Sequence, residues 1–274
     1  GICIYILINI KGVDIMNILI GILIPFIGTS LGAACVYAMK KEISKRTHKI
    51  LLGFASGVMI AASIWSLIIP AINMSSGMGK LAFVPAAVGI LLGVIFLFSL
   101  DKIIPHMHID SNKQEGLSKY NISKTTKLIF SVVLHNIPEG MAVGITFAAV
   151  MNEGNAINFA SAIALSLGIA IQNFPEGAII SMPLRSEGLG KNKSFIYGAL
   201  SGIVEPIAAA ITILFSSFIT PFMPYLLSFA AGAMIFVVVE ELIPEAAVDN
   251  ASDSSALAFS LGFIIMMILD VTLS

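Results

Sequence analysis

Charge is what this sequence has least of. Only 11% of its 274 residues are Asp, Glu, Lys or Arg, where an average soluble domain carries about 25%. Cysteine is almost missing: Cys3 and Cys35 are the only two, and the second lies inside an apolar run. Neither a disulfide framework nor a thiolate metal cage can be built from them. The net charge of -1 and the lack of any basic stripe with interleaved aromatics remove the electrostatic basis for a nucleic-acid partner.

What is present is apolar. Hydrophobic residues make up 57% of the chain, more than one soluble core can bury. Uncharged apolar runs recur, each long enough at about 1.5 Å per residue to cross a hydrocarbon layer of roughly 30 Å. They predict eight helices near about 17–39, 50–72, 81–101, 127–151, 157–183, 194–217, 224–246 and 255–273. The expected fold is an all-α membrane protein, with a single transmembrane domain over 17–274 and a cytoplasmic loop at about 102–126. Residues 1–16 stand ahead of the first long run as an extension of unassigned status, either a short extra apolar segment or an appendage.

All of the fifteen Lys and Arg except Lys11 and Lys80 fall in the breaks after the first, third and fifth helices. The positive-inside bias therefore makes those loops cytoplasmic and leaves both termini outside. The loop between the seventh and eighth helices, with Asp249 and Asp253 but no Lys or Arg, lends no support. Acidic residues count for little in that bias. The expected location is the plasma (inner) membrane.

Two internal repeats appear. Phe54-Ala55-Ser56-Gly57-Val58-Met59-Ile60 matches Phe229-Ala230-Ala231-Gly232-Ala233-Met234-Ile235, and Asn136-Ile137-Pro138-Glu139-Gly140 matches Asn173-Phe174-Pro175-Glu176-Gly177. In each pair the two copies run in opposite directions across the membrane. Inverted repeats with Pro-interrupted helices build many secondary transporters, with the site at the repeat interface. The arrangement expected is 3+2+3: three helices, a central pair, three helices.

The chemistry lies in the acids. Glu139, Glu176, Glu205, Glu240 and Glu241 fall inside predicted helices, at a combined insertion cost on the order of 15 kcal/mol. No Lys or Arg falls inside helices four to seven beyond Lys127 at the very start of helix four, so protons or metal cations are left to neutralise them. His135 and Glu139, spaced i and i+4, share one face of helix four, while Asn136 points about 100° away. Gln172, Asn173 and Glu176 repeat this spacing on helix five. At 1.5 Å per residue the two clusters lie level, about 10–17 Å from the cytoplasmic end. Pro138 and Pro175 lack an N–H and free the carbonyls of Leu134 and Ile171 nearby. Imidazole, carboxylate and amide oxygen without thiolate suit Zn2+ and its first-row neighbours.

A lone intramembrane His or Gln is as often a helix-to-helix hydrogen bond as a ligand. The duplicated, level motif is what argues for a site. Glu205, just before Pro206, fits either a structural or a ligating role. Glu240 and Glu241, near the inner end of helix seven, fit either an exit-path lining or ligation. Asp270 is expected at the interface.

Leu134-His135-Asn136-Ile137-Pro138-Glu139-Gly140, Ile171-Gln172-Asn173-Phe174-Pro175-Glu176-Gly177 and Val239-Glu240-Glu241-Leu242-Ile243-Pro244-Glu245 resemble the signatures of the ZIP (Zrt/Irt-like) metal transporters, nearest their GufA-like branch. The resemblance runs over essentially 17–274. It implies eight helices and uptake of Zn2+ toward the cytoplasm, with tolerance of Cd2+, Fe2+, Mn2+ or Co2+. It also implies a two-metal site between helices four and five. His135, Glu139, Gln172 and Glu176, with Met59, resemble one metal position; Asn136, Glu139, Asn173, Glu176 and Glu205 resemble the other. Asn173 departs from relatives that carry Asp there, which lowers the charge of the second position. His106 and His108, beside Asp110, fall where the family often bears a histidine stretch, and fit either metal collection or a solvated loop.

The rival readings are an intramembrane metal-dependent hydrolase and a channel or proton-coupled carrier for another cation. No H-E-x-x-H occurs, and no further His lies within the helices to complete a catalytic zinc site. The expected protein is thus not an enzyme and holds no prosthetic group. Its partners are divalent metal ions, the lipid bilayer and a second copy of the chain as a homodimer.

Overall fold

The computed structural model describes residues 9–10, 13–38, 44–103, 106–107, 114–115, 124–151, 157–186, 188–247 and 252–273. Among these, eight helices are long and apolar enough to cross a bilayer: α1 (Ile15–Ala38), α2 (Arg46–Met74), α3 (Phe83–Ile103), α4 (Val132–Val150), α5 (Phe159–Ser186), α6 (Lys191–Leu214), α7 (Thr220–Ala247) and α8 (Asp253–Leu273). In hydrocarbon every backbone N–H and C=O must be satisfied within the segment, so apolar runs of this length become helices. The spans lie within a few residues of those expected, and helix at α4 reaches back to Lys124. Two short antiparallel pairs, β1 (Asn9–Ile10) with β2 (Val13–Asp14) and β3 (His106–Met107) with β4 (Gln114–Glu115), carry no signal in the apolar pattern.

The helices pair by small residues. α2 lies along α8, α3 along α7, α1 along α5, and α4 along α6. Without a hydrophobic drive between helices in lipid, association rests on close van der Waals approach, which small residues permit. A Cβ at Gly57 would overlap the carbonyl oxygen of Phe259 on α8, and one at Gly232 would overlap the backbone of Ile90 on α3. These two glycines occupy equivalent places in the first internal repeat. Exchanging α1, α2, α3 with α6, α7, α8 and α4 with α5 maps the α2/α8 pair onto α7/α3, and α1/α5 onto α6/α4.

The proline interruptions fall elsewhere than expected. α4 and α5 run unbroken through Pro138 and Pro175, because losing one N–H leaves the rest of a dry helix's hydrogen bonds worth keeping. The irregular turns are in α2, α6 and α7. α2 carries a π segment over Ser63–Ile68 that precedes Pro70, and α7 one over Val238–Leu242 that precedes Pro244. In each the N–H just past the segment reaches back five residues, Ile69 to Ile64 O and Ile243 to Val238 O. The wider turn makes room for a proline ring that would otherwise clash with the carbonyl four residues back. α6 breaks at Gly202–Ile203 into Lys191–Ser201 and Val204–Leu214.

The outside of the bundle is apolar. Leu91 and Phe98 on α3 and Leu257 and Ile268 on α8 are among the exposed large side chains, as expected where lipid is the solvent. Polar side chains gather inside.

Candidate metal centre

Seven polar or charged residues from three helices are buried together. Asn136, Glu139, Gln172 and Asn173 are wholly buried, Glu205 is 1% exposed, and His135 and Glu176 are each 9% exposed. Helix periodicity places them: the i, i+4 pairs on α4 and α5 turn onto a common interior. Glu205 enters from α6 in the first turn of the segment Val204–Leu214, its own N–H bonded to Gly202 O at 3.2 Å across the break.

The amides bridge the acids. Gln172 Nε2 donates to Glu139 Oε1 at 2.6 Å. Asn136 Nδ2 donates to Glu205 Oε1 at 2.9 Å, and Asn173 Nδ2 to Glu205 Oε2 at 2.8 Å. Asn136 Nδ2 also lies 3.3 Å from Ser201 O, and Thr29 Oγ1 on α1 donates to Glu205 Oε1 at 3.3 Å. Glu139 is tied to α5, Glu205 to both α4 and α5, and Glu176 lies one turn from Gln172. Three carboxylates thus share one dry volume, and among the described residues no Lys or Arg forms an ion pair with any of them.

Five oxygens in this cluster have no hydrogen-bond partner: Asn136 Oδ1, Glu139 Oε2, Gln172 Oε1, Asn173 Oδ1 and Glu176 Oε2. Leaving buried acceptors without donors costs about 1–3 kcal/mol each. A set composed only of acceptors, on carboxylates and on amides whose N–H groups are engaged by Glu139 and Glu205, could hold a cation. Hard carboxylate and amide oxygens with one imidazole suit divalent first-row ions.

The other expected residues divide. Met59 is buried in the apolar core on α2, four residues ahead of the π segment. His135 Nε2 lies 2.6 Å from Glu241 Oε1 on α7, a contact the sequence reading missed although it named both residues. Glu240, Glu241 and Asp101 bring ligand atoms within 4.8 Å of one another. Asp101, buried near the end of α3, was also missed; its signal was a lone acid closing an uncharged run. His106 lies in β3, whereas His108 and Asp110 lie outside the described residues. Asp270, expected at the interface, is only 4% exposed and accepts a hydrogen bond from Ser66. It lines a pocket of about 290 Å³ with Trp65, Asn73, Thr146 and Ser161.

Comparison with known proteins agrees with this chemistry. A family model described as ZIP Zinc transporter matches residues 106–270. The chain is similar to the zinc transporter ZIP11 of Homo sapiens, at 33% identity over 95% of this chain and 98% of that protein. It is likewise similar to the zinc transporter GufA of Myxococcus xanthus, at 31% over 93% of this chain and 98% of that protein. With the zinc transporter ZIPB of Bordetella bronchiseptica it shares 34% identity over 90% of this chain and 78% of that one.

Proposed function

The chain belongs to the ZIP zinc transporter family and transports divalent metal ions across a membrane, and we propose that its main cargo is Zn2+, moved toward the cytoplasm through a two-metal site between α4 and α5. It is a transporter rather than an enzyme. His135, Glu139, Gln172 and Glu176, with Met59, hold the first position. Asn136, Glu139, Asn173, Glu176 and Glu205 form the second. Five orphaned buried oxygens divided between these two sets are the observation that carries the reading.

The remaining parts of the reading have their own support. A single transporter domain spans 17–274, arranged 3+2+3; the symmetric helix pairing supports that arrangement. Both termini face outward from the plasma (inner) membrane, on the strength of the Lys and Arg distribution. Ions leaving the first position pass His135 and Glu241 toward Glu240 and Asp101 at the cytoplasmic end.

Zn2+ flux into proteoliposomes containing a zinc-sensitive dye tests the proposal, with Glu176→Ala as the control. Uptake by the wild-type chain and none by the variant is the expected result. Equal uptake by both sinks the proposal.

A further inference from the structure

We propose that Thr29, on a helix outside the paired motifs, is a positioning residue for Glu205 and thereby sets how tightly the second position holds its ion. This rests on the reading of the α4–α5 cluster as the metal path. Thr29 is completely buried. Its Oγ1 lies 3.3 Å from Glu205 Oε1 and 3.4 Å from Pro25 O. A hydroxyl has one proton and so serves one acceptor at a time. The ionised carboxylate is the stronger of the two.

The packing around Thr29 is built for this reach. A Cβ at Gly177 would overlap the carbonyl oxygen of Thr29, and one at Gly202 would press on its side chain. Gly177 directly follows Glu176, and Gly202 stands one turn before Glu205. Glycine at both places lets α1 sink between α5 and α6 until its hydroxyl meets the carboxylate. A stripe on α1 continues the same contact, with Gly28 and Gly32 against the backbones of Ala170 and Phe174.

Glu205 has three donors, and they differ in kind. Asn136 and Asn173 hold it through Nδ2 while their own Oδ1 atoms lack partners. Each amide can ligate an ion through its free Oδ1 while Nδ2 keeps its bond to Glu205, so both amides serve ion and carboxylate at once. Thr29 has no such role toward the ion. Its hydroxyl holds Glu205 in its aim and keeps one lone pair of Oε1 engaged, which weakens the carboxylate's grip. Removing the hydroxyl frees that lone pair for the cation. The ion is then held longer and released more slowly.

Thr29→Val keeps the shape and loses the proton; Thr29→Ser keeps the proton and loses the methyl. In proteoliposomes with the full chain, Thr29→Val should lower both the maximal Zn2+ uptake rate and KM about fivefold, the worth of one hydrogen bond. Thr29→Ser should restore wild-type values. In a Glu205→Gln background, Thr29→Val should change neither parameter further. If Thr29→Val behaves as wild type while Thr29→Ser is impaired, Thr29 is a packing wedge and the proposal is wrong. If Thr29→Val does not accumulate, Thr29→Ala, which relieves crowding, takes its place in the comparison with Ser. Glu176→Ala separates the two levels of inference. Loss of uptake there with Thr29→Val unchanged overturns only the role of Thr29, whereas uptake retained in Glu176→Ala overturns the metal-path reading beneath it.

Discussion

His135 on α4 and Glu241 on α7 share a 2.6 Å hydrogen bond between Nε2 and Oε1. One end of this pair belongs to the cluster of orphaned oxygens, since His135 stands one turn before Glu139 on α4. The other belongs to the group of Asp101, Glu240 and Glu241. The imidazole must give up Glu241 to bind an ion through Nε2 and can regain it on release, so one bond joins the two acidic clusters.

Glu241→Ala should therefore lower Zn2+ uptake about tenfold, since it removes the carboxylate bonded to His135 Nε2 and the charge that draws the ion onward. Glu241→Asp should recover part of the loss. Uptake measured in proteoliposomes decides it, and an unimpaired Glu241→Ala removes Glu241 from the path.

Glu139→Ala and Glu176→Ala should each abolish uptake, a loss of about a hundredfold or more, because the proposed assignment gives each carboxylate to both positions and each has an oxygen with no other partner. Glu205→Gln should leave measurable uptake, since the proposed assignment gives Glu205 to the second position alone. Flux assays on the three variants rank them, and a Glu205 variant as dead as Glu176→Ala reverses the assignment.

Asn173→Asp replaces the amide that donates to Glu205 Oε2 at 2.8 Å with a second carboxylate. Without metal the like charges repel, and with Zn2+ the added charge holds the second ion more firmly. Thermal melting should show the variant below wild type in chelator and a larger Zn2+-induced rise in Tm. Metal counting should give a higher occupancy. Identical melting shifts in the two proteins contradict this.

Zn2+ affinity should fall as the medium is acidified from neutral. Carboxylate and imidazole ligands bind metal only when deprotonated, so protons compete for the same atoms and each bound ion displaces them. Binding titrations at several pH values measure the slope. A flat profile argues against Glu139, Glu176 and His135 as ligands.

Gly57→Ala and Gly232→Ala should each destabilise the bundle by about 1–3 kcal/mol through overpacking, because each added methyl meets the backbone of a neighbouring helix. Gly77→Ala, with nothing within 4 Å of its Cβ, is the control. Yield of monodisperse protein in detergent and its melting temperature report the difference.

The features legible in the chain were those set by local periodicity. Eight apolar runs determine eight helices, since hydrocarbon offers the backbone no other partner. A rise of about 1.5 Å and a turn of about 100° per residue bring His135, Glu139, Gln172 and Glu176 to one level, and the repeated N-x-P-E-G marks them. The repeats marked equivalent segments, whereas the pairing of α2 with α8 and of α7 with α3 emerges only in the fold.

Tertiary structure decided which polar atoms meet. No periodicity links Thr29 to Glu205, 176 positions apart, or His135 to Glu241, 106 apart. Those contacts depend on how closely glycine lets α1 approach α5 and α6. They depend also on a π turn in α7 that shifts the following side chains by one residue, roughly 100° around the axis. The prolines were visible, but not which helices would stay regular: α4 and α5 absorb theirs, whereas α2 and α7 widen. Even the direction in which Asn136 and Asn173 point their amides is a choice made by Glu205 across the bundle. A side chain's type and depth follow from its own helix, but its partner is fixed only when the neighbouring helix's distance and rotation are fixed.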